Sequence, residues 1–245
     1  MRLAPMLSCK SLAYCIVAGL TLFTGSAHAI PFQITSQLTG DPRLENPDGI
    51  VVNITIDSDT TSNQATWTVD LNSPVAHPNM KLHELYFNML GSAGDYVFSN
   101  FSPASWSVHL NDNVKGAGSG GSTFLFETTS SKPTTNITNS VLLTFKMTKV
   151  AGHFNPFDFI NSPKTTTSAG FNSQIGAHLQ NLTTSKIGRL TTADSGFATG
   201  NFLYDPPVPP LAVPEPNIAL LIGSGLMGMA FIRRRKSSPC KNTAA

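Results

Sequence analysis

The middle of this 245-residue chain has no cysteine. Cys9, Cys15 and Cys240 lie near the two ends, so residues 30–212 carry no disulfide framework and no thiolate metal site. That stretch is long enough to bury a core without covalent staples. Charge is scarce too: 12% of residues are charged, against roughly 25% in ordinary soluble domains. The formal net charge of +2 conceals a segregation of signs. Between residues 30 and 212, nine Lys/Arg stand against thirteen Asp/Glu, a net −4, and the other seven basic residues fall in the first ten and last thirteen positions. A mildly acidic body has no electrostatic attraction for a phosphate backbone, which excludes nucleic acid as a partner. The body also lacks any long helical period with caps and any repeat of 20–50 residues, so neither a helical bundle nor a solenoid or propeller fits.

What the N-terminus does have is an export pattern. Arg2 and Lys10 precede an apolar run at residues 11–23, and Ala27-His28-Ala29 follows. A basic leader, an apolar segment and small residues at Ala27 and Ala29 form a secretory signal peptide, with cleavage expected after Ala29. The apolar run is shorter than the roughly 20 residues of a stable span, so residues 1–29 read as a removable leader. Signal peptidase is the partner this pattern requires.

The body, residues 30–204, is patterned with period two. Ile50, Val52, Ile54 and Ile56 share one face, with Asn53, Thr55 and Asp57 on the other. Trp67, Val69 and Leu71 alternate with Thr66, Thr68 and Asp70, and Val141, Leu143, Phe145 and Met147 alternate in the same way. Further strands are predicted at Phe32–Leu38, Leu82–Met89, Tyr96–Phe101, Trp106–Leu110, Thr123–Glu127 and Phe197–Tyr204, with Ile175–Leu182 a strand or a short helix. Residues 30–212 hold 23 threonines, suited to solvated strand faces. About nine such strands predict an all-β fold, an antiparallel sandwich of two packed sheets. The less periodic stretch 151–195 is expected to contain a long loop.

Chemical signatures in the body are few. His77, His83, His109, His153 and His178 show no HExxH or other metal spacing, since His83-Glu84 is followed by Leu85 and Tyr86. There is no GxSxG elbow, and Gly116–Gly121 lacks the GK[ST] of a phosphate loop. Asp57, Ser58, Asp59 and Asn63 offer oxygens to a hard cation, but Thr61, Ser62 and Thr68 stand where a calcium loop needs Asn or Asp, Gly and an acid. A solvated turn is the better reading, as it is for Asp41, Glu45 and Asp48. Carbohydrate binding needs exposed aromatics as flat platforms, but Trp67 and Trp106 run in phase with core residues, and Tyr86, Tyr96 and Tyr204, though less constrained, do not make a site. The four Asn-x-Ser/Thr triplets, at Asn53, Asn100, Asn136 and Asn181, read as chance. No catalytic residue, metal or cofactor is expected.

The tail is the most informative segment. Residues 205–216, DPPVPPLAVPEP, form a Pro-rich linker that favours extended polyproline II. Residues 217–236 are an apolar stretch closed by Arg233, Arg234, Arg235 and Lys236, a stop-transfer arrangement that keeps the basic end in the cytoplasm. Residues 237–245 form a short cytoplasmic tail. The apolar part, 218–232, is short for a permanent anchor, which suits a single membrane helix that is processed. Its Ser224 and Gly228 have small-xxx-small spacing, more often incidental in such tails than a dimer contact.

Pro214-Glu215-Pro216, the glycine-containing apolar segment and the basic cluster occur in that order, and Val213–Lys236 resembles the PEP-CTERM sorting signal. The resemblance implies a Gram-negative cell with an exosortase, a membrane enzyme that recognises and removes such tails. It also implies passage through the inner membrane and delivery to the cell surface or extracellular matrix, often beside exopolysaccharide. The body resembles no named family. The reading that follows is a non-catalytic surface or matrix protein. The alternatives are an extracellular carbohydrate-binding module and, behind it, an exported hydrolase.

Overall fold

In a computed structural model of the chain, the described residues are 29–40, 47–114, 123–132, 137–166, 172–187, 190–206 and Leu226. The chain divides into two units, Met1–Asp205 and Pro206–Ala245, and everything below concerns the first. The strands are β1 (Pro31–Gly40), β2 (Val51–Asp59), β3 (Gln64–Leu71), β4 (Lys81–Phe87), β5 (Tyr96–Ser102), β6 (Trp106–Val114) and β7 (Phe124–Ser130). They continue with β8 (Ile137–Thr138), β9 (Leu143–Lys149), β10 (Thr165–Thr166), β11 (Asn172–Ser173), β12 (Ile175–Gln180), β13 (Lys186–Ile187), β14 (Leu190–Thr191), β15 (Ser195–Gly200) and β16 (Leu203–Tyr204). A single helical turn, α1, spans Phe157–Ile160.

The all-β expectation holds, and every strand position predicted from alternation is occupied by a strand. In β1, Phe32, Ile34, Ser36 and Leu38 point inward and their neighbours outward, the period a pleated ribbon imposes on a half-buried segment. The stretch Ile175–Leu182, open between strand and helix on sequence alone, forms β12.

The arrangement of the strands differs from a two-sheet sandwich. Twelve of them join into one antiparallel sheet in the order β5-β9-β3-β2-β1-β15-β12-β4-β7-β6, with β16 added to β1 and β8 to β4, while β10–β11 and β13–β14 form separate two-stranded ladders. The two edge strands, β5 and β6, are consecutive in the chain and separated only by residues 103–105, so the sheet curls until it is nearly closed. Two halves still face each other, as the ring contact between Trp67 on β3 and Phe87 on β4, 4.6 Å between centroids, demonstrates. What merges them is a narrow seam. β1 pairs with β2 along nine residues but with β15 only at Thr39↔Thr199 and Gly40↔Ala198. Gly200 follows this seam, and a Cβ there would lie 2.8 Å from the Gln37 carbonyl oxygen and from Leu38 Cδ2. Glycine at that position lets β15 approach β1 closely enough to pair.

The core is the inside of this curled sheet, filled by Trp67, Phe87, Phe126, Phe145, Phe159 and Phe202 among many aliphatic residues. The outward face over β1, β2, β3 and β9 is polar. Thr35, Thr55, Thr68 and Thr144 lie directly opposite one another across those four strands.

The irregular region after β9 is tied down rather than loose. Lys149 Nζ holds both carboxylate oxygens of Asp158 at 3.0 Å, and the Asn155 N–H donates to Asp158 Oδ2 at 2.9 Å. These contacts fix α1 so that Phe159 enters the core.

Among the described residues no helix is long and apolar enough to cross a membrane. The membrane helix expected at 217–236 lies, apart from Leu226, outside the described residues.

Candidate functional site

The sequence-predicted site residues are distributed as follows. Ala27, Pro214, Glu215, Pro216, Arg233, Arg234, Arg235 and Lys236 lie outside the described residues, as do Asp41, Glu45 and Gly116–Gly121. Ala29 is described and exposed, and it leads into Ile30, whose N–H donates to Thr60 Oγ1 at 3.1 Å. Asp59 ends β2 at the turn into β3, where its Oδ1 accepts from the Thr61 N–H at 2.8 Å and the Thr61 hydroxyl at 2.7 Å. The hydroxyl bond foremost, then the backbone bond, holds the Asp59 carboxyl below the usual range. This carboxylate is occupied with capping its own turn. Trp67 and Trp106 are buried, at 0% and 2% exposure, and Tyr86 and Tyr96 are buried with them. The aromatic platform that a carbohydrate module needs therefore gets no tryptophan.

One constellation was not visible in the sequence. It starts with an irregularity of β4. The β4–β12 ladder pairs Glu84 with His178 and Leu82 with Leu179, so His83 is an extra residue without a partner. This is a β-bulge, which re-aims side chains. Leu82 and Leu85 both point into the core, and the two residues between them, His83 and Glu84, stay partly exposed. His178 comes from β12, 94 residues further along the chain, and its Nδ1 lies 3.1 Å from Glu84 Oε2. The other ring nitrogen, Nε2, is 2.8 Å from Ser195 Oγ on β15. Phe197, also on β15, stacks on the imidazole at 4.8 Å between centroids and 24° between planes.

His83 Nδ1 faces Glu84 Oε1 at 3.2 Å, yet this buried nitrogen makes no hydrogen bond. The two imidazoles stand edge to face, 5.0 Å apart. Tyr86 donates its hydroxyl to Glu84 Oε2. His83, Glu84 and His178 thus offer one ligand atom each, all within 4.8 Å of one another. Neighbouring strands extend the group: Glu127 on β7 is opposite Tyr86, and His109 on β6 is opposite Glu127.

The electrostatics divide the two carboxyl groups. The His178 hydrogen bond, with help from Tyr86 and against the opposing effect of burial, holds Glu84 down to about 2. Burial, then the nearby Glu84 charge, pushes Glu127 up, and burial also pushes the Tyr86 phenol up. A lowered carboxyl stabilises the fold while ionised. That contribution is complete above the ordinary value of 4.5 and fades as pH falls toward about 2. Wild type should therefore lose stability across that window more steeply than Glu84→Gln, measured by urea unfolding at a series of pH values. Parallel curves would show that Glu84 is not held this way.

Two grooves among the described residues lie elsewhere. One open groove is lined by Thr35, Gln37, Asn53, Thr55, Thr68 and Asp70 over the threonine face. A second lies beside Pro78, Asn79, Lys81 and Asn181. The first is also lined by Leu142 and Leu203 and the second by Leu182, so each mixes polar groups with apolar surface.

Comparison with known proteins addresses the tail. No curated protein and no solved structure matches the chain. A family model described as the PEP-CTERM protein-sorting motif matches residues 212–236. That span contains the Pro214-Glu215-Pro216 motif, the apolar stretch and the Arg233–Lys236 cluster that the sequence singles out. The chain carries a PEP-CTERM protein-sorting motif at its C-terminal end, the signal by which an exosortase processes an exported chain on its way to the cell surface.

Proposed function

We propose that this chain is a non-catalytic structural protein of the cell surface or extracellular matrix. Its curled β body would be the part delivered and its C-terminal tail the address that is removed. The observation that carries this reading is the sorting motif at residues 212–236. It is supported by a body whose described grooves are open rather than enclosed like the pockets that bind most small substrates. A threonine-rich outer face is compatible with prolonged exposure to water and to hydrated polymers such as exopolysaccharide.

The tail supplies the test. Two prolines fix the backbone on either side of Glu215. The four cations from Arg233 to Lys236 resist crossing and hold the motif at a set depth. Glu215→Ala should leave export intact but block tail removal. The protein would then accumulate in the inner membrane at a mass higher by the uncut tail. Fractionation and intact-mass measurement read both effects. Processing and delivery like wild type would remove the main support for an exosortase-read address and leave a plain membrane anchor.

One observation favours the second reading, a carbohydrate-binding module. The row Thr35, Thr55, Thr68 and Thr144, with Gln37, Asn53 and Asp70 beside it in the same groove, offers hydroxyls and amides along one flat face. Burial of both tryptophans counts against it. Retention of the exported protein on purified exopolysaccharide, lost on replacing Thr55 and Thr68 with valine, would favour this reading over a purely structural role.

A further inference from the structure

We propose that His83, Glu84 and His178 bind one divalent transition-metal ion, of the class that prefers imidazole and carboxylate ligands, with Zn2+ as the representative. The site would join β4 to β12 on the outer face of the sheet.

The donor set is two imidazole nitrogens and one carboxylate, a combination used by three-ligand zinc sites that keep a fourth position open. Zinc placed about 2.0–2.2 Å from each donor sets the donors about 3.3–3.6 Å apart. Each imidazole already lies near that distance from one oxygen of the carboxylate, His178 Nδ1 at 3.1 Å from Oε2 and His83 Nδ1 at 3.2 Å from Oε1. One atom from each of the three residues already lies within 4.8 Å of the others, so a turn of the carboxylate and of the partly exposed His83 ring brings the set to that spacing.

Two features distinguish this group from an ordinary ion pair. The first is the unpartnered His83 Nδ1, buried and aimed at the carboxylate without a hydrogen bond. A histidine serving only as a counter-ion has no reason to present this nitrogen and leave it unsatisfied. A metal ion would satisfy it.

The second feature is the support behind the ligands. His178 is clamped through its far nitrogen to Ser195 Oγ at 2.8 Å and through its face to Phe197. A hydroxyl both donates and accepts, so Ser195 can hold either tautomer of His178. When Nδ1 gives up its proton to take a metal, Nε2–H can donate to Ser195 and the ring need not move. Tyr86 likewise holds the Glu84 carboxylate in place by donating to its Oε2. Outer partners that fix ring and carboxylate orientation are the usual frame of a metal site. The bulge at His83 is the backbone device that brings two consecutive residues of β4 to the same side.

The test uses the full exported protein, stripped of metal by dialysis against a chelator and titrated with ZnCl2 by calorimetry. One equivalent should bind with micromolar or tighter affinity, and zinc should raise the unfolding temperature. His178→Ala and His83→Ala should each weaken binding at least tenfold and abolish the zinc-dependent rise. Ser195→Ala should weaken it by a smaller factor. His153→Ala, at an exposed loop position outside the group, should bind like wild type. If His178→Ala fails to fold by circular dichroism, His83→Ala decides, because its half-exposed ring carries little of the core. Binding of less than half an equivalent would overturn the proposal. So would affinity unchanged in both histidine variants, or affinity reduced equally in His153→Ala.

Discussion

Trp67→Ala is expected to destabilise the β body by about 4 kcal/mol, a large share of the roughly 5–15 kcal/mol that holds an ordinary domain together. Trp67 is fully buried. Its ring meets Phe145 on β9 at 5.2 Å and, across the core, Phe87 on β4 at 4.6 Å and Phe202 at 5.9 Å. Phe159 of α1 stands 6.3 Å away. One side chain therefore touches both halves of the curled sheet and the helical turn beside them. Alanine leaves a hole that none of these elements can fill without breaking its own ladder. The indole also carries a buried Nε1–H with no partner, a cost already present in the wild type. Trp67→Phe removes that unsatisfied donor while keeping most of the ring, so it should cost less than half as much as alanine. Urea unfolding at constant slope measures both. An alanine cost below about 1.5 kcal/mol, the range of a minor core trimming, would show that the aromatic centre does not bind the two halves together.

The same tryptophan shows how much of the fold was legible. It falls in phase with Val69 and Leu71, and that alternation alone placed it in the core. Strand positions were readable because each strand buries one face, and a one-residue error in phase would put Thr66 and Thr68 inside. The single curled sheet was not readable. It depends on a two-residue ladder from Thr39 and Gly40 to β15, and a ladder that short has no periodicity of its own. Gly200 was visible as a residue, but the strand its missing Cβ admits was not.

The candidate site divides in the same way. The spacing Leu82-His83-Glu84-Leu85 interrupts the alternation of β4, and that slip is a sequence-level trace of a bulge. The third member, His178, reaches the site only because β12 pairs beside β4, a long-range neighbour relation that no local pattern encodes. The sorting motif, by contrast, is contiguous and read as a linear string, which is why residues 212–236 were recognisable without any fold.

Gln174→Leu should cost about 4 kcal/mol, although it changes side-chain volume little. Gln174 precedes β12 and is 1% exposed. Its Nε2 donates toward the carbonyls of Phe159 at 3.2 Å, Ile160 at 2.8 Å and Ser162 at 3.0 Å, while its Oε1 accepts from the Phe202 N–H at 3.0 Å. The amide thus caps the C-terminal carbonyls of α1, which a helical turn leaves unsatisfied. It also anchors the segment bearing Phe202. Leucine fills the space and satisfies none of these groups. Two donors and one acceptor are lost, at about 1–3 kcal/mol for each buried group stranded. The loss should appear as faster hydrogen exchange at Phe202 and around α1, not only as a lower unfolding midpoint. Gln174→Glu separates hydrogen bonding from packing. At neutral pH it aims a carboxylate at three carbonyl oxygens, so it should be at least as damaging as leucine. Such a group has a raised folded-state pKa, so its penalty shrinks as pH falls from that raised value toward the unfolded value near 4.3, as the protonated acid regains a donor. A glutamate variant whose deficit does not shrink in acid would mean that shape, rather than the amide's donors, holds α1 in place.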